Sequence, residues 1–404
     1  MSIAAPIAPP NEPVGEPAGE SKQAGPLRPV RNPARKGLQC LRCQRAYPLT
    51  LANDACEACK AEGVHVGLAA SYSTGQPSSA NTPSHSPYVK FFTLGEGNTP
   101  LQASPGLAQW AGVGRLNIKD ESRNPTGSHK DRMSALGVTQ ALDFGAHTVV
   151  LASSGNAAVS AAHYARAAGL ACEVTTYDAM PAAYAEKLDA SGAKRHSFAD
   201  NAGRWNFVRE RACTPGYFAL TNHHLPALGS APLAIEGYKR IAHECKIEGA
   251  VPDRVFVPTA RGDLAWGIYA GFRDMLQAGH IQKLPRLWIV EPFSRLTRVL
   301  EGSPLHGSYA GHTDQFSTAG ATVTYLQWQA ATASGGGAVV VPDSAARQAR
   351  QQMTRAGISA ELCAAAGLAA VRQLRDTGTL VAHTTVLLIL TASAACDPTW
   401  PDPV

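Results

Sequence analysis

From residue 91 onward, short apolar runs alternate with alanine-rich stretches of helical spacing. Continuous apolar runs predict strands at 149–153, 172–177, 254–258, 286–291 and 386–390. The stretches between them predict helices at 133–144, 157–168, 182–191 and 264–278. Most of the strands lack the apolar–polar alternation of a half-exposed sheet, so they suit a sheet covered on both faces. Strand and helix in alternation predict a parallel α/β architecture. The longest apolar segment, 384–395, falls short of the ~18–20 residues of a membrane helix and reads as a buried strand with its exit loop. No membrane partner is expected, and no internal repeat is found.

Composition adds to this picture at the N-terminus. Glycine and proline number 65 of 404 residues, and eight of the prolines fall in the first 36, which hold no aromatic residue. Such a stretch cannot bury enough apolar surface to offset its ordering entropy. Residues 1–36 are therefore expected to be a disordered tail, with Arg28, Arg31, Arg35 and Lys36 solvated. Residues 67–90, rich in Ser, Pro, Thr and Asn, read as a linker or arm. With 45% hydrophobic and 17% charged residues, the chain is no disordered polyelectrolyte. A net charge of +5 over 404 residues does not argue for a nucleic-acid surface, and none is expected. The N-terminus lacks a basic segment followed by an apolar one, so the cytoplasm is the expected compartment.

Cys40-x-x-Cys43 and Cys56-x-x-Cys59 are separated by twelve residues. Each pair can grip one metal from a tight turn, and four thiolates complete a tetrahedral zinc shell. Two redox pairs or plain buried cysteines are the competing readings. The other five cysteines are scattered, which argues against a disulfide framework. A four-thiolate site has no open position, so the role expected for the 37–66 module is structural. Arg42, Arg45 and Lys60 are too thin a basic patch for nucleic acid.

Asn124-Pro-Thr-Gly-Ser-His-Lys-Asp-Arg132 is the most informative stretch. Asn-Pro and Thr-Gly form turns, and Ser128 can cap a helix starting just after it. Lys130 then stands in the first helical turn, where a cation opposes the macrodipole. Helix stability does not explain that choice. A lysine in a positive, partly dry place has a lowered pKa, and its neutral amine attacks carbonyls. The bland alternative is a solvated lysine paired with Asp131.

This motif resembles the lysine loop of the threonine synthase branch of fold-type II pyridoxal-phosphate enzymes. His129 stands where that family has Phe. Lys119-Asp-Glu-Ser122 and Gly95-Glu-Gly-Asn-Thr-Pro-Leu101 fit in order and spacing, and the similarity runs over roughly residues 91–397. The resemblance implies a two-lobed body over 91–404, with a smaller lobe of roughly 120–235 inserted in the larger one. It implies a Schiff-base lysine at Lys130 and substrate-binding residues at Lys119, Ser153, Ser154, Asn156, Ala157 and Asn222. Asn156 would also meet the cofactor's phenolic oxygen. The strand-to-helix turn Ser153-Ser-Gly-Asn-Ala157 is besides a ready anion receptor for a carboxylate. The cofactor phosphate is expected on Thr259, Ala260, Arg261, Gly262 and Asp263, where only one of the family's several glycines remains. Thr391 is expected at the pyridine nitrogen, with Ser393 in reserve. A neutral hydroxyl there leaves that nitrogen unprotonated and suits elimination and replacement chemistry.

The family's glycines after the last strand are alanines here, and its lysine is Cys396. Near 221–226 the arginine of the family's substrate-phosphate stretch is missing, and His223, His224 and Lys239 are the candidates for a different anion site. The expected activity is β/γ elimination or replacement on a small amino acid, as a threonine synthase-like lyase in a homodimer. A threonine/serine dehydratase-like ammonia-lyase and a cysteine/cysteate synthase-like enzyme are alternatives. A degenerate, non-catalytic binding protein is the reading of another class.

Overall fold

The computed structural model describes residues 28–50, 55–73 and 86–398. Six strands form the larger sheet, in the order Gly337–Val340, Arg286–Glu291, Arg254–Pro258, Thr385–Leu390, Arg115–Asp120 and Leu101–Ala103. All neighbours are parallel except the last pair. The smaller sheet runs Lys194–Phe198, Ala171–Tyr177, Thr148–Ala152 and Tyr217–Ala219, all parallel. In chain order these four strands lie between Arg115–Asp120 and Arg254–Pro258. Parallel neighbours need crossovers, and the helices that supply them cover the sheet faces. Every residue of Thr148–Ala152 is accordingly buried, as are the last five of Thr385–Leu390. Strand bounds lie within one residue of those the apolar runs predict.

The N-terminal region departs from expectation. Residues 1–27 and 74–85, within the expected tail and arm, lie outside the described residues. The expected tail nevertheless contributes Val30–Arg31, paired antiparallel with Tyr88–Lys90. It also contributes the start of Arg35–Cys40, the central strand of a three-stranded antiparallel ribbon with Ala46–Tyr47 and Leu68–Tyr72. The last of these strands lies in the expected linker. Composition could not show this, because the partners are distant. Arg31 Nε donates to Asp143 at 2.8 Å, and the Arg35 guanidinium lies 4.9 Å from the Tyr88 ring. The ribbon is seated on the body by Tyr72 OH to Glu236 at 2.8 Å and Gln329 Nε2 to Leu41 O at 3.2 Å.

Both large sheets point their carboxyl ends at one crevice, the place where open parallel sheets bind ligands. Ser153, Tyr177 and Thr221 leave or follow strands of the smaller sheet there, and Thr259 and Thr391 follow strands of the larger. All five line a single cavity of about 350 Å³.

Candidate active site

The composition of the lysine motif follows from what each side chain meets. Asn124 Nδ2 donates to Glu121 O and Oε2, both at 2.9 Å, and its Oδ1 accepts from Gly97 N at 2.9 Å. Gly127 has φ +85°, a left-handed conformation that disfavours a Cβ. Asp131 accepts from Thr126 N at 2.6 Å and Ser160 Oγ at 2.5 Å. Arg132 is fully buried and meets Glu121 and Glu244 in two forked pairs of 2.6–2.8 Å. Thr99 Oγ1 donates to Glu121 at 2.8 Å, and Asn98 N to Glu244 at 3.0 Å. The motifs around 95–101, 119–122 and 124–132 thus lock into one buried polar knot. Removing one member of such a set strands a charge and costs about 3–5 kcal/mol.

That knot aims Lys130 into the cavity from the first residue of the helix Lys130–Asp143. Burial holds the Lys130 amine below the ordinary lysine range; Asp263 opposes this, Arg261 adds to it and Glu361 opposes it in turn. His129 lines the cavity beside it. Its backbone N and ring Nδ1 approach Thr391 O at 2.9 and 3.1 Å, and its ring lies 5.7 Å from that of Tyr238. Burial, then the neighbouring Lys130 charge, hold this imidazole well below its usual pKa, so it is neutral. It fills the place of an aromatic and ties the lysine loop to the strand exit at Thr391.

Three receptor elements face Lys130. The first is the turn before the helix Asn156–Ala167. Ser153 Oγ accepts from Gly155 N at 3.3 Å and Ala158 N at 3.2 Å, which fixes the turn, and Ser154 Oγ accepts from Tyr177 N at 3.1 Å. The second is 259–263, ahead of the helix Asp263–Gln277. Gly262 has φ +97°, and a Cβ on it would stand 2.6–2.8 Å from Gln327 atoms, so the one glycine kept is the one this packing demands. Asp263 accepts from Ser230 N and Oγ at 3.2 and 2.6 Å. Arg261 is half-buried, its guanidinium 5.1 Å from the Trp205 ring, and its buried Nε has no hydrogen-bond partner among the described residues. Burial lowers its pKa, and Asp263 resists that. The third element is Thr391, whose hydroxyl donates to Glu361 Oε1 at 2.6 Å.

The cavity gathers Lys130, Ser153, Ser154, Asn156, Ala157, Thr259, Ala260, Arg261, Gly262, Asp263 and Thr391. Three expected residues lie elsewhere. Lys119 is fully buried on its strand and pairs with Glu244 at 2.9 Å and Glu248 at 3.2 Å, because a buried ammonium needs acids around it. It is not among the residues that line the cavity. Asn222 is a loop staple: its Oδ1 accepts from Leu228 N at 2.7 Å and its Nδ2 donates to His224 O at 3.0 Å. Ser393 stands just before the 3₁₀ turn Ala394–Cys396, beyond the cavity lining. Lys239 is likewise no open anion site, since it pairs with Glu236 at 2.7 Å and Asp274 at 2.9 Å.

Sequence reading missed Glu361, Arg204, Tyr177 and Ser317, all of which line the cavity. Glu361 precedes the apolar helix Leu362–Asp376. In sequence it is an ordinary acid favoured at a helix start. Its burial was not visible, and burial raises its pKa to about 7. Arg204 lies with its guanidinium 4.1 Å from the Tyr177 ring.

Outside this cavity, the four ribbon cysteines converge. Their sulfurs all lie within 4.8 Å, with Cys40–Cys59 at 3.7 Å and Cys43–Cys56 at 3.6 Å. Zinc–sulfur bonds of about 2.3 Å in a tetrahedron give sulfur–sulfur edges of about 3.8 Å.

A family model described as pyridoxal-phosphate dependent enzyme matches residues 92–392. Threonine synthase of Methanosarcina acetivorans is 31% identical over 316 residues, which cover 76% of each chain. The crystal structure of the T.th. threonine deaminase superposes with a TM-score of 0.61 at 23% identity, covering 74% of this chain and 92% of that one. Diaminopropionate ammonia lyase from Escherichia coli gives 0.63 at 19% identity, over 75% and 86%. At these identities the structural likeness speaks for the fold.

Proposed function

This chain belongs to the family of pyridoxal-phosphate dependent enzymes and has their fold-type II architecture, and from that premise we propose a lyase acting on a small amino acid with an acidic leaving group, threonine synthase-like in its chemistry. The observation that carries the reading is the convergence, in one cavity of about 350 Å³, of a desolvated lysine with two receptors for anions.

The residues present fit the cofactor. A helix start with a required glycine and an orphaned, buried Arg261 Nε is a place for a phosphate. Lys130 would hold the aldehyde carbon, the backbone at 259–263 the phosphate, and Thr391 the ring nitrogen. When bound, pyridoxal phosphate supplies electron withdrawal from the substrate's Cα. The turn at 153–157 binds the substrate carboxylate by its backbone N–H groups, with Asn156 at the cofactor's phenolic oxygen. The Lys130 amine, lowered in pKa, takes the proton from Cα and returns one later in the cycle. Arg261 and Arg204 bring two guanidinium groups to the same cavity, where Asp263 is already engaged by Ser230. With Arg261 turned to the cofactor phosphate, Arg204 favours a substrate with a second acidic group over plain serine or threonine.

The test is a substrate screen with the cofactor-loaded enzyme. O-phosphohomoserine should release phosphate and yield threonine. Lys130→Ala should lose both turnover and the visible absorbance of the lysine-bound cofactor. Ammonia and a keto acid formed faster from serine or threonine would transfer the assignment to a dehydratase-like lyase. We also assign a structural zinc to Cys40, Cys43, Cys56 and Cys59. Metal analysis should find one zinc per chain, lost in Cys40→Ser/Cys43→Ser; equal metal in both proteins would refute it.

A further inference from the structure

We propose that Glu361 is a positioning residue that sets whether the ring nitrogen of bound pyridoxal phosphate carries a proton, acting through the Thr391 hydroxyl. This rests on the reading that Thr391 faces that nitrogen.

The argument is one of proton counting. A hydroxyl has one proton to give. Thr391 gives its proton to Glu361 Oε1, at 2.6 Å. On its cavity side the Thr391 oxygen can then only accept, so a ring nitrogen facing it must be the donor and must be protonated. If Glu361 instead holds the proton, it donates to Thr391, and the Thr391 proton turns to an unprotonated ring nitrogen. The two arrangements differ by no net proton: ring N–H, hydroxyl and carboxylate become ring N, hydroxyl and carboxylic acid. A lone neutral hydroxyl lacks this choice, and it would leave the nitrogen unprotonated.

The surroundings keep both forms accessible. Glu361 is nearly inaccessible to solvent, at 3% exposure. Burial raises its pKa to about 7; the Thr391 hydrogen bond lowers it, Asp397 raises it, and Lys130 and the Ser317 hydroxyl lower it. Asp397 is held by Leu362 N at 2.6 Å and Arg350 at 2.9 Å. Asn156 Nδ2 and Ser317 Oγ approach Glu361 Oε2 at 3.4 and 3.5 Å. Tyr184, Cys363 and Cys396 also feel its charge, and burial keeps each of them protonated at neutral pH. Among the largest influences on Glu361, Lys130 is the cation. Once Lys130 is bonded to the cofactor, the proton on the Glu361–Thr391 pair becomes the main charge adjustable at that end of the ring. A protonated ring withdraws more electron density from Cα.

The test uses the full chain loaded with pyridoxal phosphate labelled with ¹⁵N in the ring, read by NMR between pH 6 and 8. In the wild type the ring nitrogen should show partial pyridinium character from the shared proton, and that character should fall as the pH rises and the relay gives this proton up to solvent. In Glu361→Gln it should sit at the pyridine position and stay there. Thr391→Val, which breaks the relay and leaves the acid, should give the same fixed pyridine signal, and serves if Glu361→Gln does not fold. Equal shifts and equal pH dependence in wild type and variant would overturn the proposal alone. Wild-type protein that takes up no cofactor on Lys130 would overturn the underlying reading, and the proposal with it.

Discussion

Around Arg132 every charge meets its counter-charge: Glu121 and Glu244 clasp the guanidinium, and Lys119 adds its ammonium to Glu244. Across the cavity Arg261 is only partly buried, yet its Nε is shut off from solvent with no partner among the described residues, and Asp263, two positions on, is bonded to Ser230. Both regions bury arginines at considerable desolvation cost. One offsets that cost within the chain, and the other leaves it to be offset by whatever binds. The contrast separates scaffold from receptor more sharply than sequence motifs do, since the strongest motif is mostly scaffold.

Three substitutions test that contrast. Arg132→Met should be the most damaging, because Glu121 would be left buried without a cation and Glu244 with Lys119 alone. A loss of about 3–5 kcal/mol is expected in urea denaturation of the unloaded protein. An unchanged midpoint would mean the knot is not structural. Arg261→Gln should act in the opposite sense on the two properties. The unloaded protein should be no less stable, since a desolvated and poorly paired charge is removed. The affinity for pyridoxal phosphate or for an acidic substrate should fall about 10- to 100-fold, the worth of a charge-assisted hydrogen bond. Titration calorimetry beside denaturation would show both, and loss of stability without loss of affinity would break the division. Ser154→Ala should be mildest. It removes one neutral hydrogen bond to Tyr177 N, worth about 1 kcal/mol, and loosens the turn that receives the substrate carboxylate. The expected result is a several-fold rise in KM with kcat little changed.

Much of the body was legible because its signals are local. Continuous apolar runs and helical spacing place strands such as Arg254–Pro258 and helices such as Ala182–Ser191 where the structure has them. Lys130 was legible through the resemblance of its motif to the family's lysine loop, since its place in a first helical turn alone fits a solvated lysine as well. Glu361 was not, because an acid before a helix is unremarkable until its burial is known. Lys119 misled for the converse reason: a lysine inside a recognisable motif suggests a ligand, and only the approach of Glu244 and Glu248, in and just after the helix Lys239–Ile247, shows its charge to be already used. Arg31 and Arg35 misled by composition, since Asp143 and Tyr88 lie far along the chain.

The sequence by itself determined the alternation of strands and helices, the cysteine spacing that lets four sulfurs meet, and the turn that ends in Lys130. Those depend on neighbours within a few residues, where backbone preference and side-chain periodicity act. The tertiary structure decided which polar side chains are spoken for. It set Arg132 among its acids, left Arg261 open to the cavity, and brought Glu361 to the hydroxyl of Thr391. Whether a charge is satisfied depends on burial and on partners that stand 30 residues away, as Thr391 from Glu361, or 112, as Glu244 from Arg132, and no local pattern carries that information.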